Sequence, residues 1–296
     1  MRLRNSISLM AGMIACLGAF TVFTPDAQAD CRIEPLGDSI TAGVGSTPFN
    51  PPVPPYVWRG VGYRGWMVVA PPVVGLSFVG GRDDRVWQTY STLNYGILTD
   101  PGTGSSPLPA GPQPYHTGLP GYRVDELSAM LSTGYPLYPT ITSLPHFVLV
   151  HAGTNDFAGG ATAAAASARL ISLLINVGLR YPTAKILVAQ IIPFNPTNPV
   201  NAAFNDSIQA YNAYIPTTVA TLNAGLTPRY FTVDMYSELI DSGKLIPPIP
   251  WGGALPVLYA DNLHPNDAGY VKIANRWSAE IKAILQAYPV TGCTAT

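Results

Sequence analysis

The chain has 296 residues, of which 47% are hydrophobic and 11% are charged, whereas a typical soluble protein has about 25% charged residues. A formal net charge of −1 gives no electrostatic footprint for nucleic acid or for an anionic membrane surface. The apolar fraction excludes a disordered chain, and the 30 prolines, about twice the usual share, indicate a globular protein rich in loops.

The first 29 residues have the parts of a secretory signal peptide. A basic start with Arg2 and Arg4 is followed by the apolar run SLMAGMIACLGAFTVF and by the small-residue sequence AQA, which ends at Ala29. The apolar run is shorter than the roughly 20 residues that a membrane-spanning helix needs, and a lipidated Cys16 fits the residues before it poorly. We therefore predict a signal peptide over residues 1–29, cleavage after about Ala29, and a secreted domain over residues 30–296 without a stable membrane anchor.

The mature part would keep two cysteines, Cys31 and Cys293, near its two ends. In an oxidising compartment such a pair is expected to form a disulfide. No cluster of Cys and His has metal-ligand spacing, and no Gly-rich phosphate loop follows a strand, so the sequence predicts neither a metal nor another cofactor. Nothing in it indicates an oligomer, and we take a monomer as the default.

Short apolar runs bounded by Gly, Pro or Asp predict five strands. Between them lie segments with helical periodicity, of which the last, from Pro265 to Leu285, is the clearest. This alternation predicts an α/β fold with a mainly parallel sheet covered on both faces, whose functional site lies beyond the carboxyl ends of the strands. The predicted strands, in chain order, are 31–37, 75–81, 145–153, 184–193 and 229–235, and the helices lie near 122–131, 166–177, 200–215 and 265–285.

Two proline-rich stretches, 46–58 and 93–118, are too irregular for this scheme. The second exceeds the usual loop length, which favours either a functional rim or a surface elaboration. Their aromatic residues could stack on sugar rings or could pack inside the loops, and the sequence leaves both open. These residues are Tyr56, Trp58, Tyr95 and Tyr115.

Ser39 directly follows the first predicted strand, in the sequence Gly-Asp-Ser, which is also common in turns. A serine nucleophile needs a base, usually His, and a carboxylate that holds that His in the right tautomer. Of the four histidines, His264 alone has a carboxylate three residues before it, Asp261, on a loop that enters the last helix. His146 and His151 lack such a partner, so core or loop packing is the default interpretation for them. His116 also lacks one, but it precedes a Gly turn and could line the cleft.

An acyl-transfer enzyme also needs donors for the oxyanion of the tetrahedral intermediate. Asn155 follows a predicted strand in HAGTNDF, so its side-chain amide could donate from the same sheet edge as Ser39. Gly121, in GLPGYRVDEL, offers a backbone N–H that no Cβ shields. Each signal is weak alone, because Asn155 could lie in a plain turn and Gly121 could simply precede a helix.

Together, GDSIT with Ser39, PGYR with Gly121, GTND with Asn155 and DNLH with Asp261 and His264 resemble the blocks of the GDSL esterases, or SGNH hydrolases. The blocks stand in the family order over residues 37–264. The resemblance implies a three-layer α/β/α SGNH-hydrolase (flavodoxin-like) fold. The ordinary α/β-hydrolase elbow Gly-x-Ser-x-Gly is absent from the sequence.

The resemblance also implies roles for the matched residues. Ser39 would be the nucleophile, His264 the general base and then acid, and Asp261 the residue that orients His264. The oxyanion hole would consist of the Ser39 and Gly121 backbone N–H groups and the Asn155 side chain. Asp38 and Asp156 would be structural, bonding the loops that aim their neighbours.

Several segments are similar to secreted carbohydrate acetylesterases of the acetylxylan esterase type, although Thr117 and Tyr122 depart from that pattern. The resemblance therefore predicts a serine esterase for short acyl, plausibly acetyl, esters of carbohydrates or small molecules. A lipase, arylesterase or lysophospholipase would share the same triad, and a catalytically silent carbohydrate-binding protein could share the same fold.

Overall fold

The computed structural model describes residues 31–46, 62–80, 82–83, 115–133, 144–240 and 258–296. The predicted signal peptide and most of both proline-rich stretches lie outside the described residues. The same holds for Tyr56, Trp58 and Tyr95, whereas Tyr115 lies half-buried on a strand.

The described strands form one sheet with the order β3-β4-β1-β5-β6-β7, and β2 pairs with the first residues of β1. All pairs are parallel except β3 with β4. The bounds are β1 (Cys31–Gly37), β2 (Leu76–Phe78), β3 (Arg82–Asp83), β4 (Tyr115–Gly118), β5 (Phe147–His151), β6 (Lys185–Ala189) and β7 (Tyr230–Val233).

Helices cover both faces of this sheet. The bounds are α1 (Ser39–Ala42), α2 (Gly62–Val69), α3 (Val124–Thr133), α4 (Thr154–Ala158), α5 (Ala163–Arg180), α6 (Ala202–Leu222), α7 (Tyr236–Ile240) and α8 (Asp267–Ala287). A short 3-10 helix, Pro199–Asn201, leads into α6.

The core lies in two apolar layers, one on each face of the sheet. On one face, α2 and α8 bury residues such as Met67 and Trp277 against the sheet. On the other, α3, α5 and α6 bury residues such as Leu127, Leu173 and Ile215. By length and composition α5 could cross a membrane, but its apolar stripe packs into this second layer. The predicted three-layer α/β/α fold is confirmed.

The sequence analysis did not predict β3 or the helices α1, α2, α4 and α7, and β4 and α6 also differ from the prediction. β4 lies in the stretch 93–118, which the sequence analysis predicted to be irregular. The strand was missed because its four residues have no periodicity, and their extended conformation comes from pairing with β1 and β3. Helix α6 continues through Pro216, beyond its predicted end. Proline cannot donate to the carbonyl four residues earlier, and here the Gln190 side chain donates to that Asn212 carbonyl instead, at 3.2 Å.

The strand order brings several predicted site residues to one sheet edge. β4, β1, β5 and β6 are neighbours and parallel, so the segments that follow them meet at their carboxyl ends. Ser39 follows β1, Gly121 follows β4 and Asn155 follows β5. At the other edge the start of β1 is joined to the carboxyl-terminal tail by the predicted disulfide between Cys31 and Cys293.

Candidate active site

Ser39 is the first residue of α1 and is 4% exposed. The carboxylate of Asp38 caps this helix by accepting the Ile40 N–H at 2.9 Å, and Gly43 ends it in the left-handed conformation with φ 90°. A side chain at Gly37 would collide with the His151 carbonyl and the Thr41 hydroxyl, so glycine is needed where β1 turns into α1. These contacts fix where the Ser39 side chain begins.

His264 lies on the loop between residues 258 and 266, just before α8. Oδ1 of Asp261 accepts the backbone N–H groups of Leu263 and His264, each at 2.7 Å. Oδ2 of the same carboxylate is 2.8 Å from Nδ1 of His264. The carboxylate therefore shapes the turn and orients the ring within it.

The other ring nitrogen, Nε2 of His264, is 2.9 Å from Oγ of Ser39. Because Asp261 accepts the Nδ1 proton, Nε2 is left to accept the Ser39 hydroxyl proton. Partial burial raises the pKa of Asp261, but the hydrogen bonds from His264 and Leu263 outweigh it and hold that pKa below its ordinary value. The structure thus brings together all three residues of the predicted triad.

The other histidines bond elsewhere. Nδ1 of His146 accepts the Arg32 N–H at 3.0 Å, beside the start of β1, and Nδ1 of His116 accepts the Gly118 N–H at 2.9 Å. His151 is buried under the site, where burial lowers its pKa in spite of the nearby Asp38 carboxyl. Burial likewise raises the pKa of Asp38, which His151 opposes.

The turn that contains Gly121 is joined to Asn155 by a hydrogen bond at the neighbouring residue, Tyr122. Gly121, with φ 82°, follows Pro120 in a tight turn closed by the Tyr122 N–H to the Leu119 carbonyl at 3.1 Å; this position of a type II turn favours glycine. The Asn155 side chain donates to the Tyr122 carbonyl at 2.9 Å. That bond fixes the amide beside the turn, and within the described ranges the second N–H of the amide has no protein acceptor, so it can donate to a ligand.

The buried side chain of Asp156 connects the segments that carry Gly121 and Asn155. Its carboxylate is fully buried; Oδ2 accepts the Val124 N–H at 2.9 Å and Oδ1 accepts from Arg169 at 2.6 Å. Val124 begins α3 and Asp156 lies in α4, so one side chain connects the two predicted oxyanion segments. The sequence analysis predicted the role of Asp156 but missed Arg169, whose only sequence signal is a charge within an apolar helix.

The sequence analysis also missed the asparagine-rich loop PFNPTNPVN, residues 193–201, which contacts the segment 261–262. The sequence signal for this loop was its position directly after a predicted strand, at the carboxyl ends of the strands, where functional sites form.

For metals, one group of Cys, His, Asp and Glu side chains in the described ranges lies close enough together to hold an ion: Cys31, His146 and Cys293. The two sulfur atoms of that group are joined in the disulfide.

Comparisons with known proteins give the family and the fold of the chain. The model of the GDSL-like lipase/acylhydrolase family matches residues 36–272. Among solved structures, a family 3 carbohydrate esterase from Clostridium thermocellum is 22% identical, with a TM-score of 0.56 over 87% of this chain and 98% of that chain. A family 3 carbohydrate esterase from Talaromyces cellulolyticus is 20% identical, with a TM-score of 0.51 over 86% and 98%.

A third similar structure is a variant of an acetyl esterase solved with an acetate ion. It is 18% identical, with a TM-score of 0.52 over 86% of this chain and 98% of that chain. A comparison with curated protein sequences gave no match.

Proposed function

We propose that this chain, which belongs to the GDSL-like lipase/acylhydrolase family and is a carboxylic ester hydrolase, is a secreted serine esterase. Its proposed substrates are acetyl and other short acyl esters of carbohydrates or small molecules. The observation that carries the proposed mechanism is the unbroken hydrogen-bond chain from Ser39 through His264 to Asp261, with heavy-atom distances of 2.9 and 2.8 Å. This is the geometry in which a serine hydroxyl can be deprotonated as it attacks.

In the first half-reaction, Oγ of Ser39 attacks the ester carbonyl carbon and Nε2 of His264 takes the hydroxyl proton. The carbonyl oxygen becomes an oxyanion, for which the Ser39 and Gly121 N–H groups and the Asn155 amide are the proposed donors. When the tetrahedral intermediate collapses, the C–O bond to the alcohol breaks and His264 gives its proton to the leaving oxygen. Asp261 stabilises the imidazolium formed between these two steps.

In the second half-reaction, water attacks the acyl-Ser39 ester while His264 takes a proton from that water. Collapse of the second intermediate returns the proton to Oγ of Ser39 and releases the carboxylic acid. Each proton passes through His264, and the cycle consumes only the ester and one water molecule.

The substrate proposal has two supports. The similar solved structures include enzymes described as carbohydrate esterases and as an acetyl esterase. The sequence, in addition, has no sustained apolar, Met-rich or amphipathic lid segment of the kind expected over a lipid-binding groove. Secretion is supported by the signal-peptide pattern of residues 1–29.

The mechanism is tested by Ser39→Ala and His264→Ala in p-nitrophenyl acetate hydrolysis. Each variant should lower kcat by about 10⁴-fold, because each removes a member of one catalytic unit. Ser132→Ala and His146→Ala are matched controls, since Ser132 bonds within α3 and His146 bonds near the start of β1, and both should keep wild-type kcat. Near-normal turnover by folded Ser39→Ala protein would refute the mechanism.

The substrate class is tested by kcat/KM across p-nitrophenyl esters from acetate to palmitate, with acetate release from acetylated xylan measured in parallel. A pocket that fits short acyl groups should discriminate by about 1–3 kcal/mol for each added methylene, which gives a steep decline after the shortest esters. A maximum at medium or long chains without acetate release would assign the protein to the lipase alternative. The absence of any Ser39-dependent turnover would instead favour the carbohydrate-binding alternative.

A further inference from the structure

We propose that three asparagines of the loop after β6 are positioning residues that hold the Asp261–Asn262 segment where His264 can reach Ser39. These residues are Asn195, Asn198 and Asn201, and we call them the asparagine clasp. The inference rests on the proposed function, because it concerns how the base is delivered to the nucleophile.

We call the loop of residues 258–266, which carries Asp261 and His264, the catalytic loop. The clasp contacts it through both backbone and side-chain atoms. The Asn195 N–H donates to the Asn262 carbonyl at 2.8 Å, and the Asn198 side chain donates to Oδ1 of Asn262 at 2.8 Å. Two longer contacts add to these, from the Asn195 amide to the Asp261 carbonyl at 3.4 Å and from the Asn201 amide to the Asn262 carbonyl at 3.5 Å. Within the described ranges, every donor to these two carbonyls belongs to the clasp.

The catalytic loop needs such support because its own hydrogen bonds fix its shape but not its position relative to Ser39. Asp261 is exposed, with 55% of its side-chain surface accessible, and the segment belongs to no helix or strand. Its internal bonds, from the Leu263 and His264 N–H groups to the Asp261 carboxylate and from the Ala260 N–H to the His264 carbonyl, close a compact turn. A turn closed only on itself could still shift as a unit away from Ser39.

The clasp can fix the position of the catalytic loop because the clasp is itself anchored to the sheet and to α6. Asn205, in α6, exchanges two hydrogen bonds with the Phe194 backbone, at 2.8 and 3.0 Å. The Asn201 amide, on a residue 5% exposed, donates to the Asn195 carbonyl at 3.0 Å. Oδ1 of Asn198 accepts the Val200 N–H at 3.1 Å and begins the 3-10 helix that leads into α6.

The buried hydroxyl of Tyr259 makes the last connection, donating to the Pro193 carbonyl at 2.7 Å. The carboxyl end of β6 is thereby tied to the loop that carries His264, and β6 is held to β1 through β5. Ser39 and His264, 225 residues apart in the chain, thus share one frame.

Loss of a clasp contact should lower kcat while leaving KM nearly unchanged, because the acyl-binding groups stay in place while the base is misplaced. Small misplacements of a catalytic group can reduce turnover by up to about 10²-fold. Asn198→Ala removes two surface hydrogen bonds, the one to Asn262 and the one from the Val200 N–H, and we expect a reduction in kcat of about 10-fold.

The decisive comparison is Asn198→Ala against Asn198→Asp, in p-nitrophenyl acetate hydrolysis. Aspartate keeps an oxygen that accepts the Val200 N–H. The Asn262 side-chain amide can rotate by half a turn and donate to the second oxygen of that carboxylate, so Asn198→Asp should restore kcat to within about 3-fold of wild type. Asn201→Ala adds a second, buried position of the clasp. Asn223→Ala is the control, since Asn223 makes three hydrogen bonds at the start of β7, at the opposite sheet edge, and should lower stability without lowering kcat.

A second readout does not depend on turnover. The proton between Nδ1 of His264 and Asp261 should give a far-downfield proton NMR resonance in the wild type, which should broaden or shift in Asn198→Ala and persist in Asn198→Asp and Asn223→Ala. If kcat and this resonance are unchanged in both Asn198→Ala and Asn201→Ala while Ser39→Ala is inactive, the clasp is refuted and the esterase stands. If wild-type turnover does not depend on Ser39, the proposed function fails, and an unchanged resonance then refutes the clasp separately.

Discussion

At the scale of single residues, Asn155 divides its amide between structure and the proposed chemistry. One N–H is donated to the Tyr122 carbonyl, which fixes the side chain beside the Gly121 turn. The other is oriented by the same planar group, so its direction costs no further ordering when a substrate binds.

Asn155→Ala should therefore lower kcat by about 10²–10³-fold, as expected for the loss of one oxyanion donor. Asn155→Asp should be at least as harmful, because a carboxylate cannot donate and would repel the oxyanion. The measurement is steady-state hydrolysis of p-nitrophenyl acetate. Asn176→Ala provides the control, since the Asn176 amide donates to Ser128, on the neighbouring helix α3. A kcat for Asn155→Ala equal to that of this control would exclude the oxyanion role.

At the scale of elements, α3, α4 and α5 are joined by the ion pair of Asp156 and Arg169. The carboxylate is fully buried and the side chain of Arg169 is 31% exposed, so the guanidinium neutralises the carboxylate and reaches solvent at its other side. A buried carboxylate that loses its cation is left with an unmet desolvation cost.

For this reason Arg169→Met should destabilise the protein by about 1–3 kcal/mol. Adding Asp156→Asn should recover part of this loss, because the amide is neutral and its oxygen can still accept the Val124 N–H. The free energy of unfolding from urea titration of the two single variants and the double variant measures this coupling. Strictly additive effects would show that the pair is not energetically linked.

The same elements show what the sequence could and could not predict. β5 and β6 are readable because strands buried on both faces are nearly continuous apolar runs, and β1 and β7 are readable from shorter apolar runs bounded by Gly37 and Asp234. β4 is not, because only its pairing with β1 and β3 makes it a strand. The end of α6 was predicted too early, because the Gln190 amide that satisfies the carbonyl freed by Pro216 comes from a distant part of the chain.

The candidate site divides in the same way. Asp261 and His264 were predictable because their hydrogen bond is local, three residues apart. The ion pair of Arg169 with Asp156 depends on how α5 packs beside α4, and the asparagine clasp depends on two loops about 65 residues apart. Such contacts arise from the tertiary structure, and no local pattern encodes them.

At the scale of the whole molecule, the two ends of the described chain are fastened together far from the triad. The disulfide joins residues separated by 262 positions, with Cα atoms 4.8 Å apart. The tail beyond it bonds to the segment before β2, through the Val74 N–H to the Thr294 carbonyl at 2.8 Å and the Thr296 N–H to the Pro72 carbonyl at 3.1 Å. The disulfide thus closes nearly the whole domain into one covalent loop.

The variant Cys31→Ala/Cys293→Ala should unfold at lower urea concentration and lower temperature than the wild type, while its kcat at 25 °C stays unchanged. Loss of so long a cross-link costs up to about 5 kcal/mol in the chain-entropy model, because the unfolded chain regains freedom. Activity is spared because the start of β1 lies at the sheet edge opposite Ser39. Thiol counting on denatured, unreduced wild-type protein must give no free thiol from these two residues. An unfolding midpoint equal to that of the wild type would show that the hydrogen bonds of the tail fasten the chain ends without the disulfide.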